Sequence, residues 1–283
     1  MTRAAATNQQ LQEAAMPEIV TERFENILRI QFNRPEKKNA MTLKMYSTVA
    51  ELLNAAAKDD ETRVVLLHGA GDAFCAGNDL GDFLHNPLKS DDSPQARFIA
   101  ALIEFDKPLI AAVHGVAIGG GTTMLTHFDF VYAAEHTRFQ MPFVNLALVP
   151  ELGTSYWLPA QIGYLAAAEL VLLALPFDAR RAAELGLVTR VVAEADLMAT
   201  ALDTAHRLTR QPAGAVRASK RLMKRALGPQ MAAAVELEFQ EYASRLQSDD
   251  AKEAFTAFLE KRKPDFTRSI KSRATAVAGG KRG

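Results

Sequence analysis

The sequence predicts an α/β layer fold followed by a helical region, and three observations predict it. Strand-like and helix-like runs alternate from about residue 17 to about residue 190, the pattern of strands joined by crossover helices. The inner strand-like runs are almost continuously aliphatic, as suits strands covered on both faces. Past about residue 190 the strands stop, and the rest reads as helix.

Residues 1–16 are rich in Ala, Gln and Asn and read as a loose tail. "EIVTERFENILRIQFNRP" reads as two strands around a tight turn near Glu25-Asn26. Thr42 is placed to cap a helix through "LKMYSTVAELLNAAAKD", where apolar residues recur at helical spacing. "RVVLLHG" is a buried strand closed by Gly69. "SPQARFIAALIEF" is a second helix, with Pro94 directly after Ser93. "PLIAAVHG" and "DFVYAAE" are further strands. The helical run that follows breaks near Gln211-Pro212 and near Gly228-Pro229. A helical end on an α/β core is a lid or an oligomerisation surface. Residues 269–283 carry four basic groups and no acid, a solvated tail or a binding arm.

Bulk properties exclude several function classes. The 283 residues are 48% hydrophobic and 23% charged, ordinary for a soluble domain. With 33 basic and 33 acidic residues the formal charge is zero, which gives no pull toward nucleic acid or a membrane surface. A lone cysteine, Cys75, excludes an internal disulfide framework and fits a reducing compartment. The start lacks an apolar signal region, no run reaches membrane-spanning length, and the end is no peroxisomal address. A cytoplasmic protein is expected.

Three segments follow strands and are candidates for chemistry: "GAGDAFCAGNDL" (69–80) after the strand at 63–68, "HGVAIGGGTTML" (114–125) after the strand at 108–113, and "LALVPELGTSYW" (146–157). Ligands of α/β sheets sit outside the carboxyl ends of strands. Neither glycine loop matches a dinucleotide or nucleotide-phosphate fingerprint. The remaining use of a glycine-rich helix start is to aim N–H groups at an oxygen that becomes negative. The alternative is that Gly119, Gly120 and Gly121 only permit close packing. Glu151 is a single acid in an apolar run, either held for proton transfer or placed in the first turn of a helix, where acids suit the dipole. His68, His114 and His127 sit among apolar residues and read as satisfied core histidines; no spacing suggests a metal. Cys75 reads as a small packing residue, and Asp79 as a holder of its loop.

"NRPEKKNAM", "FCAGNDL", "AVHGVAIGGGTTMLTHFDFVYA" and "FQMPFVNLALVPELGTSYWLPAQIG", in this order over about residues 18–265, resemble the crotonase superfamily, the enoyl-CoA hydratase/isomerase group. The resemblance implies a spiral of ββα units over residues 17–200 with an acyl-CoA site, and a helical trimerisation region over 201–268. It implies a homotrimer or dimer of trimers, and acyl-CoA thioester substrates whose coenzyme A belongs to the substrate, with no separate cofactor. The N–H groups of Asn78 and Gly120 would hold the thioester oxygen as it becomes an enolate. Ala76, Gly77, Asp79, Leu80 and Gly119 would border the substrate, as would Thr123 and Phe143. Arg34, Lys37 and Lys38 would meet the nucleotide phosphates or form a solvated turn. Lys261 and Lys263, on the last helix, would reach the phosphates of this or a neighbouring subunit.

The hydratases of the group use two glutamates, and the matching positions here hold Thr123 and Phe143. Neither can act as a general acid or base near neutral pH. "AGNDL", "TTMLTHFD" and the Pro150-Glu151 pair resemble the Δ3,Δ2-enoyl-CoA isomerase branch instead, with Leu152 in place of a commoner Gly and Ala76 in place of a common Ser. That branch implies Glu151 as the single acid/base, in a dry pocket supplied by Phe143, Leu146, Leu148, Val149, Trp157 and Leu158. Such surroundings would raise its pKa. Another crotonase reaction and a catalytically silent acyl-CoA-binding scaffold are the alternatives.

Overall fold

A computed structural model describes residues 16–85 and 92–267. The expected tails, 1–16 and 269–283, lie outside the described residues apart from Met16. Glu25 and Asn26 both have positive φ, 46° and 65°, which gives a two-residue turn the twist a hairpin needs. It joins β1 (Ile19–Phe24) to β2 (Ile27–Phe32) in antiparallel register, Phe24 opposite Ile27. Helix α1 (Leu43–Lys58) starts where expected: Thr42 Oγ1 accepts from the Met45 N–H at 3.2 Å. After β3 (Val64–Gly69) come a short α2 (Leu80–His85) and α3 (Pro94–Glu104), the latter capped by Ser93. Then follow β4 (Leu109–Val113), β5 (Val116–Ile118), the single-turn α4 (Gly120–Thr123), β6 (Phe130–Ala134) and β7 (Arg138–Gln140). Beyond them lie α5 (Thr154–Ile162), α6 (Tyr164–Ala168), β8 (Phe177–Asp178), α7 (Ala179–Glu184) and β9 (Arg190–Val192).

Six strands form one sheet in the order β1-β2-β3-β4-β6-β9, parallel from β2 onward. Its aliphatic runs are buried on both faces. Leu28, Ile30, Val65, Leu67, Leu109 and Ala111 face α1 and α3, while Ile27, Val64, Leu66, Ile110 and Ala112 face the opposite way. This is the period-two alternation of a strand, with no polar side because neither face is open to water.

A second sheet, β5-β7-β8, corrects the expected layout. The glycine triplet does not follow β4 directly: the chain leaves β4, crosses to the small sheet as β5, and only then reaches Gly119. Successive strands thus divide between two sheets, which makes the repeating ββα spiral. These strands are two or three residues long, too short for a periodic signal, and exist because β5 pairs with β7 and β7 with β8.

The last third comprises α8 (Leu197–Thr209), α9 (Ala213–Arg225), α10 (Gly228–Leu246) and α11 (Asp249–Leu259). Helix α8 crosses the expected boundary at 200/201 and buries Leu197, Ala201 and Ala205 on the large sheet. The run after Pro229 has a further break: Ser248 Oγ accepts from the Ala251 N–H at 3.1 Å and starts α11. Lys261 and Lys263 lie beyond the end of α11 rather than on a helix. Among the described residues no helix is long and apolar enough to cross a membrane.

Candidate active site

Two loops are stitched into one wall by short parallel bridges. Cys75 N–H donates to Val116 O at 3.1 Å and Ile118 N–H to Cys75 O at 2.9 Å, which ties the first loop to β5. On the other side Met41 N–H donates to Gly77 O at 2.7 Å and Asp79 N–H to Met41 O at 2.9 Å. A parallel bridge uses both backbone groups of Met41 and neither of Asn78. The Asn78 N–H therefore points away from Met41. Among the described residues neither it nor the Gly120 N–H has an acceptor. The loops approach so closely that a Cβ on Gly77 would lie 3.7 Å from the Gly120 nitrogen and 2.7 Å from Ile118 O.

The three glycines serve different ends. Gly119 has φ 56° and ψ −122°, a conformation closed to side-chain-bearing residues. A Cβ on Gly121 would sit 2.3 Å from Cys75 O, so here the packing alternative holds. A Cβ on Gly120 would sit 2.9 Å from Glu151 Oε1 and 3.4 Å from Tyr46 Oη, so this glycine leaves room for the acid.

Glu151 is not a first-turn acid of α5. The helix begins at Thr154 with Gly153 as its cap, two residues beyond Glu151. The residue is partly exposed, but its Oε1 is buried and has no hydrogen-bond partner among the described residues. Burial, and then the negative charge of Glu238, push its carboxyl up from 4.5 to about 7. Tyr46 and Tyr242 face the same carboxyl, and burial drives both phenols well above their ordinary range, so both are neutral.

Beside this wall lies a cavity of about 420 Å³. Of the residues expected to border substrate, Lys37, Ala76, Gly77, Asn78, Asp79 and Leu80 line it, as do Gly119, Gly120 and Phe143. Leu146 and Leu148 supply apolar wall, with Phe258 and Leu259 of α11 at one side. Glu151 borders a smaller cavity of about 20 Å³ behind the wall, and Tyr242 borders both.

Several expectations are corrected. Arg34 does not reach outward: its guanidinium pairs with Glu18 at 3.1 Å and Asp79 at 3.0 Å and donates to Ala40 O, so it braces the first loop. Lys38 pairs with Asp72 and does not line the cavity. Thr123 is fully buried behind the wall, its hydroxyl donating to Gly119 O at 3.2 Å, the bond of a helix-interior threonine. Val149, Trp157 and Leu158 also lie away from the main cavity; Trp157 packs in a separate pocket with Phe139 and Phe177. His127 and His114 are satisfied as expected, by Leu152 O and Gly71 O. His68 departs from the expected satisfied histidine: its Nδ1 lies 3.2 Å from Gly69 O, but its Nε2 has no partner among the described residues, and burial lowers its pKa to about 4. Cys75 is buried and its thiol pushed up to about 12, which makes it inert. Asp79 holds the loop, accepting from the Asp82 N–H at 3.1 Å and from Arg34.

Sequence reasoning missed four supporting residues. Asn39, fully buried in the quoted "NRPEKKNAM", donates to Ala70 O and Ala73 O and fixes the first loop. Tyr46 donates to Asn78 Oδ1 at 2.7 Å. Glu238 and Tyr242 come from α10, whose helical pattern disguises them as ordinary face residues. Among the described residues no three His, Cys, Asp or Glu side chains gather as metal ligands.

Known proteins share this architecture. The profile of a family described as enoyl-CoA hydratase/isomerase matches residues 22–269. The 1,2-epoxyphenylacetyl-CoA isomerase of Escherichia coli (strain K12) is 35% identical over 252 residues, 85% of this chain and 95% of that protein. Enoyl-CoA delta isomerase 2 of Rattus norvegicus is 34% identical over 244 residues, covering 84% of this chain and 62% of that longer protein. A crystal structure of an enoyl-CoA hydratase/isomerase from Pseudoalteromonas atlantica T6c superposes with a TM-score of 0.84 at 38% identity, over 88% of this chain and all of that one. With the paired loops, the divided sheets and these matches together, the chain belongs to the enoyl-CoA hydratase/isomerase family of the crotonase superfamily.

Proposed function

We propose that this enzyme is a Δ3,Δ2-enoyl-CoA isomerase in which Glu151 alone moves the proton. One observation carries the reading: a carboxyl pushed up to about 7 whose Oε1 lies against Gly120 with no hydrogen-bond partner among the described residues, in a chain with Thr and Phe at the two hydratase acid positions. The acyl-CoA thioester would enter the 420 Å³ cavity with its carbonyl oxygen at the Asn78 and Gly120 N–H groups.

Glu151 takes the C2 proton, which carbonyl and alkene together acidify. The C2–H electron pair moves into the dienolate, whose oxygen the two N–H groups stabilise; such a donor is worth about 2.7–4 kcal/mol. The protonated carboxyl returns the proton at C4, the C2=C3 bond forms, and the carbonyl is restored. One proton moves within one molecule, so the chemistry calls for no oxidant, reductant or metal. An acid near pH 7 is suited to both halves of the cycle.

The test follows conversion of 3-enoyl-CoA to the conjugated 2-enoyl-CoA by its absorbance. Glu151→Gln is expected to lose about 10²–10⁴-fold in kcat while still binding the thioester. A near-native rate in that variant would show that the base lies elsewhere. Hydration of 2-enoyl-CoA, measured on the same enzyme, is expected to be negligible; rapid hydration would favour the hydratase reading, a name carried by other relatives at this distance. The exposed Leu222, Met223 and Leu237 of the C-terminal helices suit the proposed homotrimer or dimer of trimers, which sedimentation would test.

A further inference from the structure

The turn that carries Glu151 is gripped from behind by a second carboxylate. Leu152 and Gly153 are both left-handed, with φ 60° and 69°, a backbone that a leucine rarely adopts. Two side chains clamp it. His127 Nε2, 2.8 Å from Leu152 O, holds one side. Glu238, on α10 and only 7% exposed, holds the other: its Oε2 accepts from the Gly153 N–H and its Oε1 from the Ser155 N–H, each at 2.7 Å. Helix α10 is pressed against the turn, since a Cβ on Gly153 would fall 2.0 Å from Met231 Sδ.

The two carboxylates share one region with opposite hydrogen bonding. Both Glu238 oxygens receive backbone N–H donors at the start of α5, whereas Glu151 Oε1 receives none. Burial pushes the Glu238 carboxyl up as well, but its N–H donors favour the charged form and offset part of that push, whereas Glu151 Oε1 has no such donor among the described residues, so the proton is held more readily at Glu151. Among the described residues the other groups that face Glu151 offer no compensating charge. Tyr46 from α1, Cys75 from the first loop and Tyr242 from α10 are buried and neutral. Burial lowers His127 to about 4, leaving it neutral as well. Lys224, whose Nζ donates to His127 O, stands behind that histidine.

We propose that Glu238 is a positioning residue for Glu151: it fixes the 151–153 turn so that the acid faces Gly120, and its carboxylate, packed beside the acid, strengthens the hold of Glu151 on the proton it takes from substrate. The inference rests on the proposed role of Glu151, and its test separates the two. The full-length protein is labelled with glutamate carrying ¹³C at the side-chain carboxyl, and each resonance is followed through pH. Glu151→Gln and Glu238→Gln assign the two signals by their loss.

The expected result is a wild-type Glu151 signal that titrates near pH 7, above that of Glu238. In Glu238→Gln it titrates about one pH unit lower or more, and the acid limb of kcat/KM moves down with it. A merely structural role would lower kcat and leave the limb in place, which would overturn the proposal. So would a Glu151 signal that titrates at the same pH in both proteins. Should Glu238→Gln fail to fold, the wild-type titration still decides: a Glu151 signal already in the ordinary carboxylate range refutes the charge pairing. A Glu151→Gln variant at near-native rate, with the resonance shift intact, would instead refute the catalytic role of Glu151 and leave its pairing with Glu238 standing.

Discussion

Glu151→Gln should make the folded protein more stable at pH 8, although it removes the proposed acid. A carboxyl held at about 7 in the folded state and near 4.5 when unfolded binds its proton more tightly folded. Unfolding then releases the proton, so the stability this group contributes is present below pH 4.5 and is lost as pH rises toward 7. At about 1.4 kcal/mol per pH unit the full loss is roughly 3 kcal/mol. Part of Glu151 reaches solvent, which makes this an upper value. Glutamine carries no such penalty. Urea unfolding of both proteins at pH 5 and pH 8, at matched concentration, isolates the effect, because any packing cost of the amide cancels between the two pH values. The variant should gain about 2–3 kcal/mol relative to wild type between them, or roughly 5 °C in Tm for a chain of this size. An unchanged gap would mean that the carboxyl is solvated and that the reasoning about its burial is wrong.

Other perturbations test the wall in front of the acid. Gly120→Ala places a methyl 2.9 Å from Glu151 Oε1 and should lower isomerase kcat about tenfold or more with the fold retained by circular dichroism. Gly121→Ala drives a methyl to 2.3 Å from Cys75 O, a backbone atom that cannot step aside, and should cost about 3 kcal/mol in denaturant unfolding. Tyr46→Phe strips the donor from Asn78 Oδ1 and should cost about 1–3 kcal/mol in stability. Its kcat should fall, as the loop that carries the Asn78 N–H loses its side-chain anchor.

Local features read directly from the residues were those with local causes. Thr42 and Ser93 cap their helices because a hydroxyl meets an N–H three residues on, a distance set within one turn. The Glu25-Asn26 hairpin and the aliphatic strands follow from dihedral preference and two-sided burial. Strands β5, β7 and β8 were invisible because two or three residues hold no period; pairing alone creates them. For Arg34 and Lys38 the sequence leaves phosphate contact and a solvated turn both open, and the bracing role is not legible there, because Glu18, Asp79 and Asp72 approach them only in the folded chain.

The sequence by itself determined the alternation of strand and helix, the two glycine loops and their order, Thr123 and Phe143 at the positions where the resembled hydratases carry acids, and the isolation of Glu151 in an apolar run. These are properties of residue type and spacing, which the chain carries before it folds. Tertiary structure alone decided that Glu151 Oε1 lies buried against Gly120, and that Thr123 turns away from the cavity. It also decided that a glutamate 85 residues beyond Gly153 grips the turn beside the acid. A carboxyl's proton affinity depends on which dipoles and charges surround it, and those neighbours are set by how helices pack, not by anything periodic in the segment that carries it.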